Sequence, residues 1–393
     1  MVKRSHSLKQ KLAPEAKCRR TEAEKIVMMN EQFFISVIVP VYNGGRYLER
    51  CLDALLASSY SSYEVIVVDD ASTDNSAEIA RRKGVALLEM PKQTGQSAGR
   101  NAAAERARGQ ILFFVDADVV VRPDTISRVA SDFASNPDIA ALFGSYDDEP
   151  AEKNFLSQYK NLQHHFVHQQ GNREASTFWT GCGAVRREVF QSLGGLNRNW
   201  RCVEDIEFGY RLRRAGHRIL LDKELQVKHL KRWTLRSWLR ADIFCRAVPW
   251  SKLIIENRAM VKDLNLQTSD RISAALLGLS IALLFLSILK PQLLFIVSFL
   301  LAGIIILNRK FYGFFLRKRG ALFTALVFPA HLLYYFYSSV AFALCWANHL
   351  FRGKRALNDL DASLAQSNNG SGLTGDLSVS GARERAEPQR DAT

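Results

Sequence analysis

Ile111-Leu112-Phe113-Phe114-Val115-Asp116-Ala117-Asp118 is the stretch that decides how this chain is read. Five consecutive apolar residues without alternation read as a short strand buried on both faces. Two carboxylates follow, one residue apart, at the strand's end. Acids so spaced suit a hard divalent cation, Mg2+ or Mn2+, which takes oxygen ligands and shares them with substrate phosphates. Such a cation would neutralise a departing diphosphate.

Upstream the same arrangement recurs. Residues 33–41 form a β-branched run ending at a turn, and 45–58 are helical, with Tyr47, Leu48, Cys51, Leu52 and Leu55 on one face. Glu64–Asp69 is a second buried strand ending in Asp69-Asp70, followed by a helix over 76–83, a strand at Val85–Glu89 and a helix over 97–107. Continuous apolar strands alternating with helices predict a mainly parallel sheet covered on both faces. Asn43, Asp69, Asp70, Asp116 and Asp118 all fall just past strand C-termini, the edge where open α/β sheets bind ligands. Ser72 to Asn75 are accounted for as helix N-capping residues. Two adjacent acids are not, since like charges repel unless a ligand lies beside them.

Downstream, Val203-Glu204-Asp205-Ile206-Glu207 opens a helix. Acids in a first turn suit the helix dipole; a carboxylate there would equally serve as a base toward an acceptor hydroxyl. Residues 231–262 are rich in Arg and Trp, within a linker expected over 231–270. Leu235, Trp238, Leu239 and Ile243 share a helical face apart from Arg236, Arg240 and Arg246, as in an amphipathic linker at a bilayer interface. Three apolar stretches follow: Ile272–Leu289, Gln292–Leu307 and about Leu322–Leu350, the last carrying Pro329 and His331. The first, as a helix, rises about 27 Å, close to the hydrocarbon thickness. Residues 271–350 are therefore expected to hold two or three transmembrane helices.

The net charge of +14 is concentrated in the N-terminal 32 residues and beside the apolar stretches, as lipid and the positive-inside rule favour. With no recognition motif, nucleic acid is not an expected partner; membrane lipids are. The basic 308–319 loop and the main domain belong inside, on the cytoplasmic face of a multi-pass inner-membrane protein. A third full span would put Arg352, Lys354 and Arg355 outside, against the rule. The six cysteines lack C-x-x-C spacing and read as reduced thiols. Residues 1–32, without an apolar signal region, and the Ser/Gly/Asn-rich 351–393 are expected to be disordered tails.

Taken in order, Val37-Ile-Val-Pro-Val-Tyr-Asn-Gly-Gly45, Val67-Val-Asp-Asp-Ala-Ser-Thr-Asp74, Gly99-Arg-Asn101, Phe114-Val-Asp-Ala-Asp118, Thr180-Gly-Cys-Gly183, Gly194-Gly195 and Glu204-Asp205 resemble the family 2 glycosyltransferases. The resemblance covers about 34–233 and implies a nucleotide-diphospho-sugar transferase (GT-A type) α/β domain over 33–230. It implies that Pro40, Tyr42 and Asn43 line the donor's nucleotide pocket, with Asp69 and Asp70 at base and ribose and Arg100 also on the donor. Asp116 and Asp118 would hold ribose, metal and pyrophosphate. Gly181 and Cys182 would floor the acceptor site, Glu204, Arg232 and Trp233 would lie on the acceptor side, and Asp205 would be the base. Attack opposite the leaving diphosphate would invert the anomeric carbon. Polymerising relatives often carry Gln-x-x-Arg-Trp; here His229-Leu-Lys-Arg232-Trp233 has histidine in that place, which makes His229 a candidate metal ligand and single transfer the expectation over a processive polysaccharide synthase. The expected acceptor is a lipid or membrane-proximal glycan in cell-envelope synthesis. The alternative from another class, a non-catalytic membrane scaffold, has no use for the clustered acids.

Overall fold

The computed structural model describes residues 33–200, 202–257 and 267–369; of 352–369 only the backbone is described. The expected N-terminal tail, 370–393 and part of the linker lie outside those residues.

The first half alternates as its patterning predicts. β1 (Ile35–Val41), α1 (Gly45–Leu56), β2 (Tyr63–Asp69), α2 (Ser76–Arg82), β3 (Ala86–Glu89), α3 (Gln96–Arg106) and β4 (Ile111–Val115) follow one another, each within a few residues of its expected bounds. Then come β5 (Val119–Val120), α4 (Thr125–Ser135), β6 (Ile139–Tyr146), α5 (Phe155–Gln170), β7 (Cys182–Arg186), α6 (Arg187–Ser192), α7 (Glu204–Arg214) and β8 (Arg218–His229). The strands form one sheet in the order β3-β2-β1-β4-β7-β6-β8-β5. β1 to β4 are parallel; β7 runs antiparallel to both its neighbours, and β5 antiparallel to β8. The sheet is therefore mixed and mainly parallel.

β1, β2 and β4 are apolar on both faces because helices cover both, giving two cores, one around Val37, Leu52 and Phe113 and one around Ile38, Phe114 and Phe208. Register does the rest: Val41 lies beside Asp69, and Val115 beside Cys182, so the chain leaves β1, β2 and β4 at one edge. Gly144 has no side chain because a Cβ there would meet the Leu225 carbonyl oxygen across the β6–β8 pairing.

Beyond the sheet, α8 (Leu235–Asp242) continues through a π-helical turn (Ile243–Ala247) into α9 (Val248–Asn257). α10 (Thr268–Leu286), α11 (Leu293–Leu307) and α12 (Arg309–Asn369) complete the described chain. α10 and α12 are long and apolar enough to cross a membrane; α11 is shorter. Large apolar side chains here face outward, Phe285 and Phe295 at 70% exposure and Leu289 at 82%, which water would not tolerate and lipid would.

α12 breaks at Gly320 (φ 82°), whereas Pro329 stays within the helix. Left-handed φ is open to glycine at little cost. The two arms fold back on each other: Phe315 stacks on Phe323, and Tyr312 Oη meets His331 Nδ1 at 3.1 Å. The arms pack on α5 and α8 through Tyr159, Trp233 and Trp238, and Arg319 Nε donates to Gln158 Oε1 at 2.7 Å. The beginning of the third apolar stretch is thus partly covered by protein. Tyr335, bonded to Asn308 Oδ1 at 3.1 Å and Asp270 Oδ1 at 3.0 Å, pins α10 and the α11–α12 junction together. Helix continues to Asn369, well past the expected tail boundary at 351.

The chain clusters into two compact units, Met1–Ala343 and Leu344–Thr393. Every contact described here lies within the first.

Candidate active site

Two loops at the sheet edge are stitched together. Asn43 and Ala71 are the non-glycine residues with left-handed φ (50° and 61°) among those described, a strain that collects at functional sites. Asn43 Oδ1 accepts from Thr73 N at 2.8 Å, and its own N–H donates to Ser72 Oγ at 2.9 Å. Asp74 accepts from Gly45 N at 2.9 Å and Ser76 N at 3.0 Å, serving the starts of α1 and α2 together. The capping role read from Ser72 to Asn75 falls to Asp74.

The paired acids divide their work. Asp70 accepts from Thr94 N (2.7 Å), Thr94 Oγ1 (2.9 Å) and Gly95 N (2.8 Å), fixing the loop before α3. Asp69, almost buried, spends Oδ2 on Ser72 N at 3.1 Å and leaves buried Oδ1 without a partner. A buried orphan acceptor is costly unless a ligand donor completes it. Tyr42, 46% exposed, stands on the same rim, and Pro40 lies beside Val68.

The remaining acids are joined through Arg100. Its guanidinium, 1% exposed, donates to Glu204 Oε1 at 2.9 Å and Asp116 Oδ1 at 2.7 Å. Gln96 donates to the same Glu204 oxygen at 2.6 Å, so a chain of contacts runs from Asp70 through Gly95, Gln96 and Glu204 to Asp116. β2, α3, β4 and α7 meet there. Burial and the neighbouring Asp205 push the Glu204 carboxyl up to about 8, with Arg100 opposing. Burial also raises the Asp205 carboxyl, against Arg100 and the N–H groups of Ile206 (2.8 Å) and Thr180 (3.4 Å).

β5 pairs with β8, Val119 opposite His229, and this brings His229 Nε2 to 3.5 Å from Asp118 Oδ2. Burial alone would raise the Asp118 carboxyl; His229 and Lys231 hold it below the ordinary carboxylate range. The donor set of one carboxylate and one imidazole fits a divalent cation whose remaining ligands are diphosphate oxygens. No group of three or more His, Cys, Asp or Glu is assembled for a metal among the described residues. Asp116 gives Oδ1 to Arg100.

Several expected contacts are placed differently. The Cys182 thiol is fully buried in the sheet core. The Trp233 ring is 5% exposed and clusters with Tyr159 and Phe315, because residues after β8 turn onto α5. Glu204 and Arg100 are each 1% exposed and bonded to one another. Arg232 is exposed, its N–H 3.4 Å from Tyr47 Oη.

One wall escaped the sequence reading. Tyr146 stacks on His229 (4.2 Å), and its ring meets Trp179 (4.9 Å) and His164 (4.3 Å). A Cβ at Gly181 would collide with the Trp179 indole. Burial keeps His164 well below its ordinary pKa and brings His168 down to about 4, so both are neutral. The i, i+4 histidines in α5 and the Trp179-Thr180-Gly181 run were the available signals.

A mixed α/β sheet with acids converging past β2 and β4 defines a domain of the GT-A type. The model of the family described as glycosyl transferase family 2 matches residues 36–194. Glycosyltransferase GlyG of Streptococcus pneumoniae is 31% identical over 126 residues, 31% of this chain and 42% of that protein. The uncharacterized protein MT1568 of Mycobacterium tuberculosis is 27% identical over 226 residues, 53% of this chain and 70% of that protein. The chain thus spans less than half the length of GlyG. Among solved structures, the mannosyltransferase PcManGT from Pyrobaculum calidifontis, in complex with GDP-Man and Mn2+, shares the fold with TM-score 0.51 at 19% identity, covering 82% of this chain and 93% of that one.

Proposed function

We propose that this protein is an inverting, divalent-metal-dependent glycosyltransferase that moves one sugar from a nucleotide-diphosphate donor to a lipid or membrane-proximal acceptor. The observation that carries this is the contact chain Asp70–Gly95–Gln96–Glu204–Arg100–Asp116, which draws acids from distant stretches to one sheet edge beside Asp205.

The nucleoside lies against the β1 and β2 ends, where the orphan Asp69 Oδ1 accepts a donor from base or ribose. Asp118 and His229 would hold Mg2+ or Mn2+, which supplies positive charge to the diphosphate. Asp205 takes the proton of the acceptor hydroxyl as its oxygen bonds to the anomeric carbon. The bond from that carbon to the diphosphate oxygen breaks on the opposite face, and the diphosphate carries away the electron pair. Arg100 keeps Asp116 and Glu204 in place while Trp179 and Tyr146 bound the acceptor side.

The exposed apolar surfaces of α10 and α11 support insertion in the cell's inner membrane. The basic arm Arg309–Arg319 touches the catalytic domain through Lys318–Asp148 and Arg319–Gln158, which supports placing both on the cytoplasmic face. A thermal-shift screen of nucleotide sugars with Mn2+, GDP-mannose included, followed by product sizing, tests the proposal. One sugar added per acceptor is expected; a ladder of products overturns single transfer, and stabilisation by no donor overturns the reading.

A further inference from the structure

The His229 imidazole ends β8 with its Nε2 3.5 Å from Asp118 Oδ2, beyond the usual hydrogen-bond range. Its ring torsion is broad, as at any sp3–sp2 side-chain bond, so the backbone alone does not choose where the nitrogen points. Packing does. β6 runs parallel to β8 with Tyr146 beside Val227, and residues two apart along a strand share a face. Tyr146 and His229 therefore stand on one face of the sheet. Their rings stack at 4.2 Å with only 9° between the planes.

Tyr146 is itself clamped. His165 Nδ1 lies 2.8 Å from the Tyr146 carbonyl oxygen and His168 Nδ1 2.9 Å from that of Gly144, which seats α5 along β6. The same helix packs His164 on the Tyr146 ring at 4.3 Å. Trp179, from the segment before β7, meets Tyr146 edge-on at 4.9 Å and His164 at 4.7 Å. Tyr146 is thus held by rings from two other parts of the chain while it lies flat against His229. Both Tyr146 and His229 are buried. A flat neighbour at 4.2 Å blocks rotation of the imidazole out of its plane, and that is the freedom a ligand must lose before it holds a cation.

We propose that Tyr146 is a positioning residue for the metal pair: its ring, backed by His164, fixes the His229 imidazole so that Nε2 faces a divalent cation shared with Asp118. The inference rests on the metal reading of Asp118 and His229 and adds the residues that orient the imidazole. Tyr146 acts here through its ring and not its hydroxyl, so phenylalanine serves in its place and leucine does not.

The test uses the full chain in dodecyl maltoside micelles with Mn2+ alone as the probe. Mn2+ affinity is read by EPR titration, imidazole ligation by the nitrogen coupling in pulsed EPR, and folding of each variant by its unfolding temperature in EDTA. His229→Gln should remove the nitrogen coupling, which assigns it. Tyr146→Leu should weaken Mn2+ about tenfold, the cost of removing support behind a metal ligand, and diminish the nitrogen coupling. Tyr146→Phe should match the parent in both. His164→Ala should weaken Mn2+ about threefold, the worth of one aromatic pair, and His164→Phe should restore it. Should Tyr146→Leu fail to fold, the two His164 variants decide. Parental affinity and coupling in Tyr146→Leu and His164→Ala overturn the proposal. An equal loss in Tyr146→Phe and Tyr146→Leu also overturns it, assigning the effect to the hydroxyl. Nitrogen coupling absent from the parent, or unchanged in His229→Gln, instead overturns the metal reading of His229, whatever the Tyr146 variants do.

Discussion

Replacing Arg100 by methionine removes the cation that joins Glu204 to Asp116 while keeping most of the side-chain volume. Arg100 and Glu204 are each 1% exposed, so no water replaces the guanidinium. Taking one partner from a buried pair costs about 3 kcal/mol or more. Glu204 has an escape, because its carboxyl is already pushed up to about 8 and rises further without Arg100. A protonated Glu204 relieves the charge. The sign follows: a carboxyl raised in the folded state stabilises in its protonated form, fully below the unfolded value and progressively less as pH rises through the folded one. Parent Glu204 ionises near 8 against Arg100, so the loss in Arg100→Met should change by only about 0.4 kcal/mol between pH 5 and pH 8. Above pH 8 it should widen by about 1.4 kcal/mol per unit, because the parent's Glu204 ionises and the variant's does not, reaching about 3 kcal/mol near pH 10, a Tm fall of roughly 6–12 °C. Thermal unfolding of the full chain in detergent at pH 5, 8 and 10, with Arg100→Met/Glu204→Gln as companion, measures this. The companion, which has no carboxyl at 204, should follow Arg100→Met throughout. A loss that does not widen above pH 8 would refute the buried-pair argument.

Gly181→Ala forces a methyl into the Trp179 ring and should cost about 1–3 kcal/mol of stability. It should also raise KM for the acceptor more than for the donor, which steady-state kinetics with each substrate varied in turn will show. Turnover should fall as pH drops through the raised carboxyl of Asp205, placing the acid limb of the kcat profile above the ordinary carboxylate value of about 4; an acid limb at or below that value counts against Asp205 as base. Asp118→Ala should abolish Mn2+-dependent donor stabilisation in a thermal-shift series, and donor binding by the parent that ignores chelation removes the metal pair.

The α/β half was legible because its physics is local. Buried parallel strands must be continuously apolar, and Ile111–Val115 begins and ends where that pattern does. The acids at strand ends were equally readable, since their positions follow from topology. Roles that depend on partners far along the chain were not. Nothing near Asp70 reveals that Thr94 and Gly95 take both its oxygens, nor does Cys182 disclose which face of β7 its thiol joins. Trp233 followed Arg232 in a familiar pattern, yet its ring goes to a core that α12 builds some eighty residues later. A proline in a helical stretch invites a break at Pro329, yet α12 breaks at Gly320, where freedom of φ allows a reversal. Tyr146 and His229 lie far apart in the chain; only the folded sheet edge brings their rings together.

The whole account turns on Asp205 acting on an acceptor in a site that still holds its donor. Sugar transfer by purified Asp205→Asn, measured beside donor affinity in the same preparation, addresses that most directly. Transfer should be lost while donor binding with Mn2+ stays at the parental value. Transfer at the parental rate would contradict the assignment of the base, and with it the mechanism drawn from this sheet edge.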